Sequence, residues 1–276
     1  MKLLIVRGGL GNQMFQYALY LQLLKMGKEV TLDLSPFIDG NMHNGFELQK
    51  IFTLNGHSPR FTNCKYLNYV RRILSIGGKP GRRHGLIYFE GAMKYGIYKD
   101  VFTTRAPIIE GYFQSEEYFP DVEEEVRQSF RFLNIDEKNK EIATEMSTRN
   151  SVSIHIRRGD YIACGMKIMG LEYYKKAIER IKSLVDSPYF YIFSDDATEA
   201  DNIARQCSIA YTLINHNTGI DSYKDMYLMS NCKHNIIANS SFSWWGAWLN
   251  ANPQKIVVSP LWGKHFHCKK WTLVEN

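Results

Sequence analysis

The chain has no apolar run of the roughly 18 to 20 residues that a membrane span needs. Near its start, Leu3-Leu4-Ile5-Val6 stops at Arg7, well short of the roughly 7 to 15 apolar residues of a signal-peptide h-region. We expect a cytoplasmic protein. Its five cysteines (Cys64, Cys164, Cys207, Cys232, Cys268) are odd in number and irregularly spaced, and no Cys-x-x-Cys occurs. That pattern suggests neither a disulfide framework nor a zinc knuckle. Internal repeats and low-complexity tracts are also lacking. What is present is a core: 276 residues, 45% hydrophobic and 13% aromatic. Such a composition excludes a disordered chain. At roughly 150 residues per domain, the length fits two domains. A net charge of +6 is mildly basic. It permits nucleic-acid binding without requiring it, and we expect none.

Leu3 to Val6 reads as a buried strand, followed by the turn Gly8-Gly9-Leu10-Gly11-Asn12 and a helix from Gln13 to Lys25 stopped by Gly27. Val30 to Leu34 reads as the next strand, opening a βαβ unit on a parallel sheet. A second series begins near residue 151. Strands are expected at Ser151–Ile156, Tyr189–Phe193, Asn235–Ala238 and Lys255–Ser259. Helices are expected at Glu172–Val185, Ala197–Gln206, Asp221–Asn231 and Ser243–Leu249. Residues 116 to 145 are acidic and read as one or two helices. We place the domain boundary in the polar stretch 134–150, giving domains 1–145 and 146–276. Between the series, residues 60 to 94 hold eight Lys or Arg against one acid, Glu90, around the loop Gly77-Gly78-Lys79-Pro80-Gly81. A solvated basic face explains that segment. Docking on anionic lipid is the functional alternative.

The glycine turn supplies only two glycines of a dinucleotide fingerprint, Gly9-x-Gly11, with Met14 at the third position. Asp33 stands where a ribose-binding acid belongs, yet the missing glycine argues against NAD. The turn can still present backbone N–H groups, or serve as a tight connection with nothing bound. The strongest local signal is His155-Ile156-Arg157-Arg158-Gly159-Asp160-Tyr161, directly after a strand. Two arginines there need an anion, and a guanidinium fork matches phosphate oxygens. The plain alternative is an Arg–Asp160 ion pair plus a solvated arginine. Ser194-Asp195-Asp196 follows the next strand, where one carboxylate serves as a helix N-cap and the other as a nucleoside ligand. Asn239-Ser240-Ser241-Phe242-Ser243 follows a third strand and puts hydroxyls at a helix start, a good anion-binding arrangement. The tryptophans after it read as core. A basic pair, an acid pair and a hydroxyl cluster on three strand ends suit a nucleoside diphosphate. No Asp-x-Asp occurs to hold a divalent ion on that diphosphate, so arginine takes that role and no metal is expected. His265-x-His267-Cys268 reads as surface rather than as a metal site.

These segments resemble a known family. Gly8 to Ala18, Gly111-Tyr112-Phe113-Gln114-Ser115, His155 to Tyr161, Ser194-Asp195-Asp196 and His234 to Leu249 are similar to the motifs of the galactoside α-1,2-fucosyltransferases, glycosyltransferase family 11. The His-x-Arg-Arg element is shared more widely, with α-1,6- and protein O-fucosyltransferases. The resemblance implies an α/β, GT-B architecture: two Rossmann-like domains facing across a cleft, with the acceptor side in the first and the donor side in the second. It implies inverting transfer of L-fucose from GDP-β-L-fucose, a substrate rather than a cofactor, to a galactose-terminated glycan of a bacterial surface polysaccharide. A lipid-linked acceptor would bring the enzyme to the inner face of the membrane. By motif, Arg157 falls on the arginine that holds the β-phosphate and assists its departure. Asn12 falls near the reacting centre. His155 and Asp195 or Asp196 fall on the nucleoside side. Ser240, Ser241 and Phe242 fall where hydroxyls and a ring meet diphosphate and fucose. Arg158, Asp160, Asn239 and Gly11 are assigned to the donor as well. The short basic end, Trp262 to Trp271, departs from the longer tail of bacterial relatives. The alternatives are a fucosyltransferase of other linkage or acceptor, an NAD-dependent oxidoreductase, and a non-catalytic glycan-binding relative.

Overall fold

The computed structural model describes residues 1–38, 44–54, 61–62, 85–90, 96–262 and 266–275, with the side chain of Asp160 left out. All eight bases of the 60–94 segment, its glycine loop, Asp39 and His265 lie outside the described residues. The chain divides into two compact units. The first is Met1–Leu133 with Gly263–Phe266, and the second is Asn134–Trp262 with His267–Asn276.

The first unit is built on strands β1 (Lys2–Ile5), β2 (Val30–Asp33), β3 (Phe61–Thr62), β4 (Ile87–Phe89) and β5 (Ile108–Glu110). They form one parallel sheet in the order β3-β2-β1-β5-β4. From β1 the chain builds to one side through β2 and β3, and later crosses to the other. The direction therefore reverses between β1 and β5, a topological switch point. Helix α1 (Leu10–Lys25) follows β1, and Gly27, at φ +74°, ends it with its N–H on the Leu24 carbonyl. This helix is buried on nearly every side, its glutamines included. Gln13, Gln16 and Gln22 are tolerated there because each amide satisfies groups of neighbouring loops. Helices α2 (Leu48–Ile51) and α3 (Glu123–Ser129) complete the regular structure used below. The start of α1 at Leu10 brings the glycine turn directly onto the helix N-terminus, three residues earlier than apolar spacing alone indicates.

The second unit alternates helix and strand: α4 (Glu137–Ser147), β6 (Ser151–Ile156), α5 (Gly159–Ala163), α6 (Leu171–Lys182), β7 (Tyr189–Ser194), α7 (Ala197–Gln206), β8 (Tyr211–Ile214), α8 (Tyr223–Asn231), β9 (His234–Ile236), α9 (Ser241–Leu249), β10 (Val257–Pro260) and β11 (Thr272–Val274). The sheet is parallel throughout, in the order β11-β10-β9-β6-β7-β8. Its switch point lies between β6 and β9. Both faces are covered, as a parallel sheet requires. On β7, Phe190 and Ile192 enter the core formed with Tyr173, Ile178 and Ile203. The intervening Tyr191 and Phe193 enter the opposite core with Met146, Leu228 and Met229. This alternation is the two-residue period of a strand. Burying each such side chain contributes roughly 1.5–3 kcal/mol. Strands β8 and β11, at the two edges of the sheet, have no counterpart in the sequence reading. No helix among the described residues is long and apolar enough to cross a membrane.

Candidate active site

Parallel strands put all their carboxyl ends on one edge, and β9, β6 and β7 are neighbours in the middle of the second sheet. The three segments singled out in sequence therefore emerge side by side. They straddle the switch point, where open α/β sheets bind ligands.

At the end of β6, Arg157 Nη1 lies 2.9 Å from Asp195 Oδ2. The other oxygen of Asp195 accepts the Arg158 backbone N–H at 2.9 Å. This carboxylate thus clamps the β6 loop from the adjacent strand. Gly159 makes room for it, since a β-carbon there would lie 3.1 Å from Asp195 Oδ2. Arg158 turns instead to α7, its Nε 3.1 Å from Asp196 Oδ2 and its Nη1 3.6 Å from Glu199 Oε1. Asp196 also caps α7 by accepting the Glu199 N–H at 3.0 Å. The two acids divide their work: Asp196 holds the helix and Arg158, while Asp195 holds the loop and Arg157. The Arg–Asp160 pair of the sequence reading involves a side chain outside the described ones. Among the described residues, the ion pairs are with Asp195, Asp196 and Glu199. The Arg157 guanidinium carries five donors in a planar fork, the geometry that matches phosphate oxygens.

His155 is buried on β6, its ring 5.9 Å from that of Phe242 at the start of α9. Tyr174 donates to its carbonyl at 3.0 Å. Ser240 caps α9, its hydroxyl accepting the Phe242 N–H at 3.3 Å, and Ser243 donates back to the Ser240 carbonyl. Ser241, half-buried, stays outside that cap. Tyr161 joins the two sides of the switch point. Its hydroxyl donates to the Asn239 carbonyl at 3.0 Å, and the Arg157 guanidinium lies 5.7 Å from its ring centre. Asn239 in turn donates to the Lys167 carbonyl at 2.8 Å.

Beneath the site runs a chain of buried amides. Asn235 donates to Ser153 Oγ at 2.7 Å and to the Met229 carbonyl at 2.8 Å. Asn250 donates to Asn235 Oδ1 at 2.8 Å and to the Cys232 carbonyl at 2.7 Å. Beyond β8, Asn217 bonds Asn139 and donates to Asp225 Oδ1 at 2.8 Å. Burial pushes the Asp225 carboxyl up to about 7, with the Asn217 bond opposing. Nearby, ion pairs with Asp136 and Asp221 hold Lys224 above its usual range.

In the first unit, Gly8, at φ +83°, turns the chain so that Asn12 lies at the start of α1. Gln114, beyond β5, donates to Asn12 Oδ1 at 2.7 Å. Glu90 accepts the N–H groups of Tyr112 and Phe113 at 2.8 and 2.6 Å, and burial raises its pKa. Arg7 Nη1 pairs with Glu110 Oε1 at 2.6 Å and lies 5.0 Å from the Tyr112 ring centre. Gly11 is buried in the first turn of α1. Asp33, the ribose-type acid of the sequence reading, is buried and bonds Ser35 in a turn after β2. Gln114 and Tyr161 lie inside segments singled out in sequence but received no role of their own there, and the Arg7–Glu110 pair carries no chemical signature at all. Only contacts across 102 or 103 positions reveal Gln114 and Glu110. Among the described residues no His, Cys, Asp and Glu cluster has the makings of a metal site.

Comparison with known proteins gives the family and the fold. The model of glycosyl transferase family 11 matches residues 100–272. An α-1,2-colitosyltransferase of Escherichia coli is 34% identical, covering 92% of this chain and 89% of its own. The O-antigen biosynthesis glycosyltransferase WbnK of Escherichia coli is 32% identical, covering 92% of this chain and 91% of its own. Among solved structures, the NodZ α-1,6-fucosyltransferase co-crystallised with GDP matches with a TM-score of 0.51 at 14% identity, covering 89% of this chain and 91% of that one. That likeness is one of fold, and the fold is GT-B, with two Rossmann-like parallel sheets. The chain is a glycosyltransferase and belongs to glycosyltransferase family 11.

Proposed function

We propose that this enzyme transfers L-fucose from GDP-β-L-fucose to the 2-hydroxyl of a galactoside, with inversion to an α-linkage and without a metal ion. The observation that carries the donor side is the meeting of Arg157, Asp195, Ser240 and Ser241 on three adjacent strand ends at one switch point. Breaking the fucose–phosphate bond leaves negative charge on the diphosphate and positive charge on the sugar. A guanidinium at the β-phosphate interacts more strongly as that charge grows, which is differential binding of the transition state. Asp195 and the Tyr161 ring hold Arg157 in place beforehand, so little reorganisation accompanies the reaction. The N-terminal turn of α9 adds backbone N–H groups and the Ser241 hydroxyl. His155 lies on the nucleoside side, and the Phe242 ring, 5.9 Å from it, lies toward the diphosphate and fucose. With no Asp-x-Asp in the chain, arginine supplies the charge that a divalent ion supplies elsewhere.

The acceptor is a galactose-terminated glycan of a bacterial surface polysaccharide, a reading supported by the O-antigen relative. If that glycan is lipid-linked, the basic segment 60–94 offers a membrane contact. Equal binding to neutral and anionic vesicles overturns that contact. A second reading comes from the colitosyltransferase relative, since colitose is L-fucose lacking its 3-hydroxyl. Both sugars demand the same leaving-group chemistry. A thermal-shift panel of GDP, UDP, ADP and NAD, with and without EDTA, tests the donor class. Stabilisation by GDP that survives EDTA is expected, and a preference for UDP or NAD, or loss of the GDP effect in EDTA, overturns the reading. Turnover of GDP-fucose against GDP-colitose, with linkage analysis of the product, then decides the sugar and the position.

A further inference from the structure

The first unit carries its own set of polar groups at the β1/β5 switch point, and their charge pattern differs from that of the diphosphate side. Arg7 is neutralised by Glu110, 2.6 Å away. The remaining groups are two uncharged amides, Asn12 and Gln114, and the Tyr112 ring, all partly exposed. Gln114 Nε2 donates to Asn12 Oδ1 at 2.7 Å. That bond settles both amides: Asn12 keeps its Nδ2 as a donor, and Gln114 keeps its Oε1 as an acceptor. Gly8 clears the space, because a β-carbon there would come within 2.8 Å of Asn12 Nδ2.

The pair is not needed to hold the loops together. The wholly buried Gln16 already accepts the Arg7 N–H and donates to the Gly111 carbonyl, at 3.0 and 2.9 Å. Gln13 ties the glycine turn to Gly45 and Glu47. Between Tyr112 and Gln114, Phe113 sits at φ +52°, a left-handed conformation uncommon for a bulky residue. The Glu90 carboxylate holds it there through two backbone N–H groups. Such strain clusters where a loop must present particular side chains.

We propose that the Asn12–Gln114 amide pair binds a hydroxyl of the neutral acceptor sugar, an inference that rests on the galactoside reading above. The hydroxyl accepts from Asn12 Nδ2 and donates to Gln114 Oε1. Neither amide takes up a proton near neutral pH, so the pair orients the hydroxyl and leaves its deprotonation to another group. The Tyr112 ring fits the apolar C–H face of a pyranose. Among the described residues of this group, the one cation, Arg7, is paired with Glu110, so a nucleoside diphosphate finds no uncompensated positive charge there.

The test is steady-state kinetics of the full chain with GDP-fucose and methyl β-D-galactopyranoside as probe acceptor. Gln114→Ala and the length-preserving Gln114→Met are expected to raise the acceptor KM about tenfold, the scale of one lost hydrogen bond. The donor KM and the thermal shift with GDP stay unchanged. An unaltered acceptor KM, or a donor KM rising in step, overturns the proposal. Should both variants fail to fold, the wild-type chain labelled with ¹⁵N decides. The side-chain NH2 signals of Asn12 and Gln114 shift with the galactoside and not with GDP, and their indifference to the galactoside refutes the assignment. If the wild type itself uses no galactoside, the functional reading fails. If it does and the variants match it, only the amide assignment falls.

Discussion

Arg157 is the side chain on which the proposed chemistry turns. Its truncation to alanine is expected to lower kcat roughly 10²- to 10³-fold, by analogy with loss of an oxyanion-hole donor. Pre-steady-state and steady-state rates with GDP-fucose check this, and a change confined to KM removes Arg157 from the leaving-group role. Asp225 makes a separate, pH-dependent prediction. Its carboxyl ordinarily titrates at 3.8 and is raised by burial to about 7 in the folded chain. Folding therefore favours the protonated form. The stability this group contributes is complete below about pH 4 and fades as pH climbs through about 7. Asp136, Lys224 and His216, joined to Asp225 through Asn139 and Asn217, carry shifts of their own. Hydrogen bonds from Lys224 and Asn139 lower Asp136, bonds to the acids raise Lys224, and burial lowers His216. Asp225→Asn keeps the bond from Asn217 and is expected to flatten the decline in Tm between those limits. A wild-type slope retained in the variant shows that another group is responsible. At this scale the sequence shows which residue types gather at strand ends, and it stops short of their pairing. Arg157 and Asp195 stand 38 positions apart in the chain, and they meet because β6 and β7 are neighbours in register.

At the scale of elements, the buried amide chain Ser153–Asn235–Asn250 ties β6, β9 and the ends of α8 and α9 into one support beneath the site. Asn235→Ala leaves the Met229 carbonyl, Ser153 and Asn250 short of partners, at a cost of roughly 1–3 kcal/mol. Urea unfolding measures it; a change within error shows the network to be dispensable. The strands legible in sequence are those with long apolar runs in the sheet interior, such as β6 and β7. Strands β8 and β11 were not legible, being edge strands of four and three residues whose side chains are mostly half-exposed. Helix α9 begins at Ser241, two residues before its apolar run, because the Ser240 cap rather than hydrophobic spacing sets its start. For α1 the periodicity was visible, while its buried glutamines were not, since their partners lie in distant loops.

For the molecule as a whole, the proposed donor site draws chiefly on three segments, 155–161, 194–196 and 239–243, all in the second unit, with Gly11 of the first unit as the remaining donor residue. Hydrogen exchange with saturating GDP is expected to slow in these three segments and at the first turn of α9, leaving the Asn139–Asn217–Asp225 group unchanged. At about 100 times Kd the nucleotide adds roughly 2.7 kcal/mol to stability. Protection spread evenly over the chain, or centred on the glycine turn of α1, contradicts the assignment. The α/β alternation and the two-sheet plan were readable from the order of strands and helices. Strand order was not, because nothing local in β9 states that it crosses back past β6.

All five tryptophans fall in one half of the molecule. Trp244, Trp245 and Trp248 lie on α9, where Trp244 and Trp245 meet edge-on at 4.9 Å, and Trp271 packs on Trp244 at 5.5 Å. Trp262 belongs to the same unit, and the first unit has none. Indole emission therefore reports melting of the second unit alone. Far-ultraviolet circular dichroism registers both, so a gap between the two curves reads out directly whether the halves unfold in one step or in sequence.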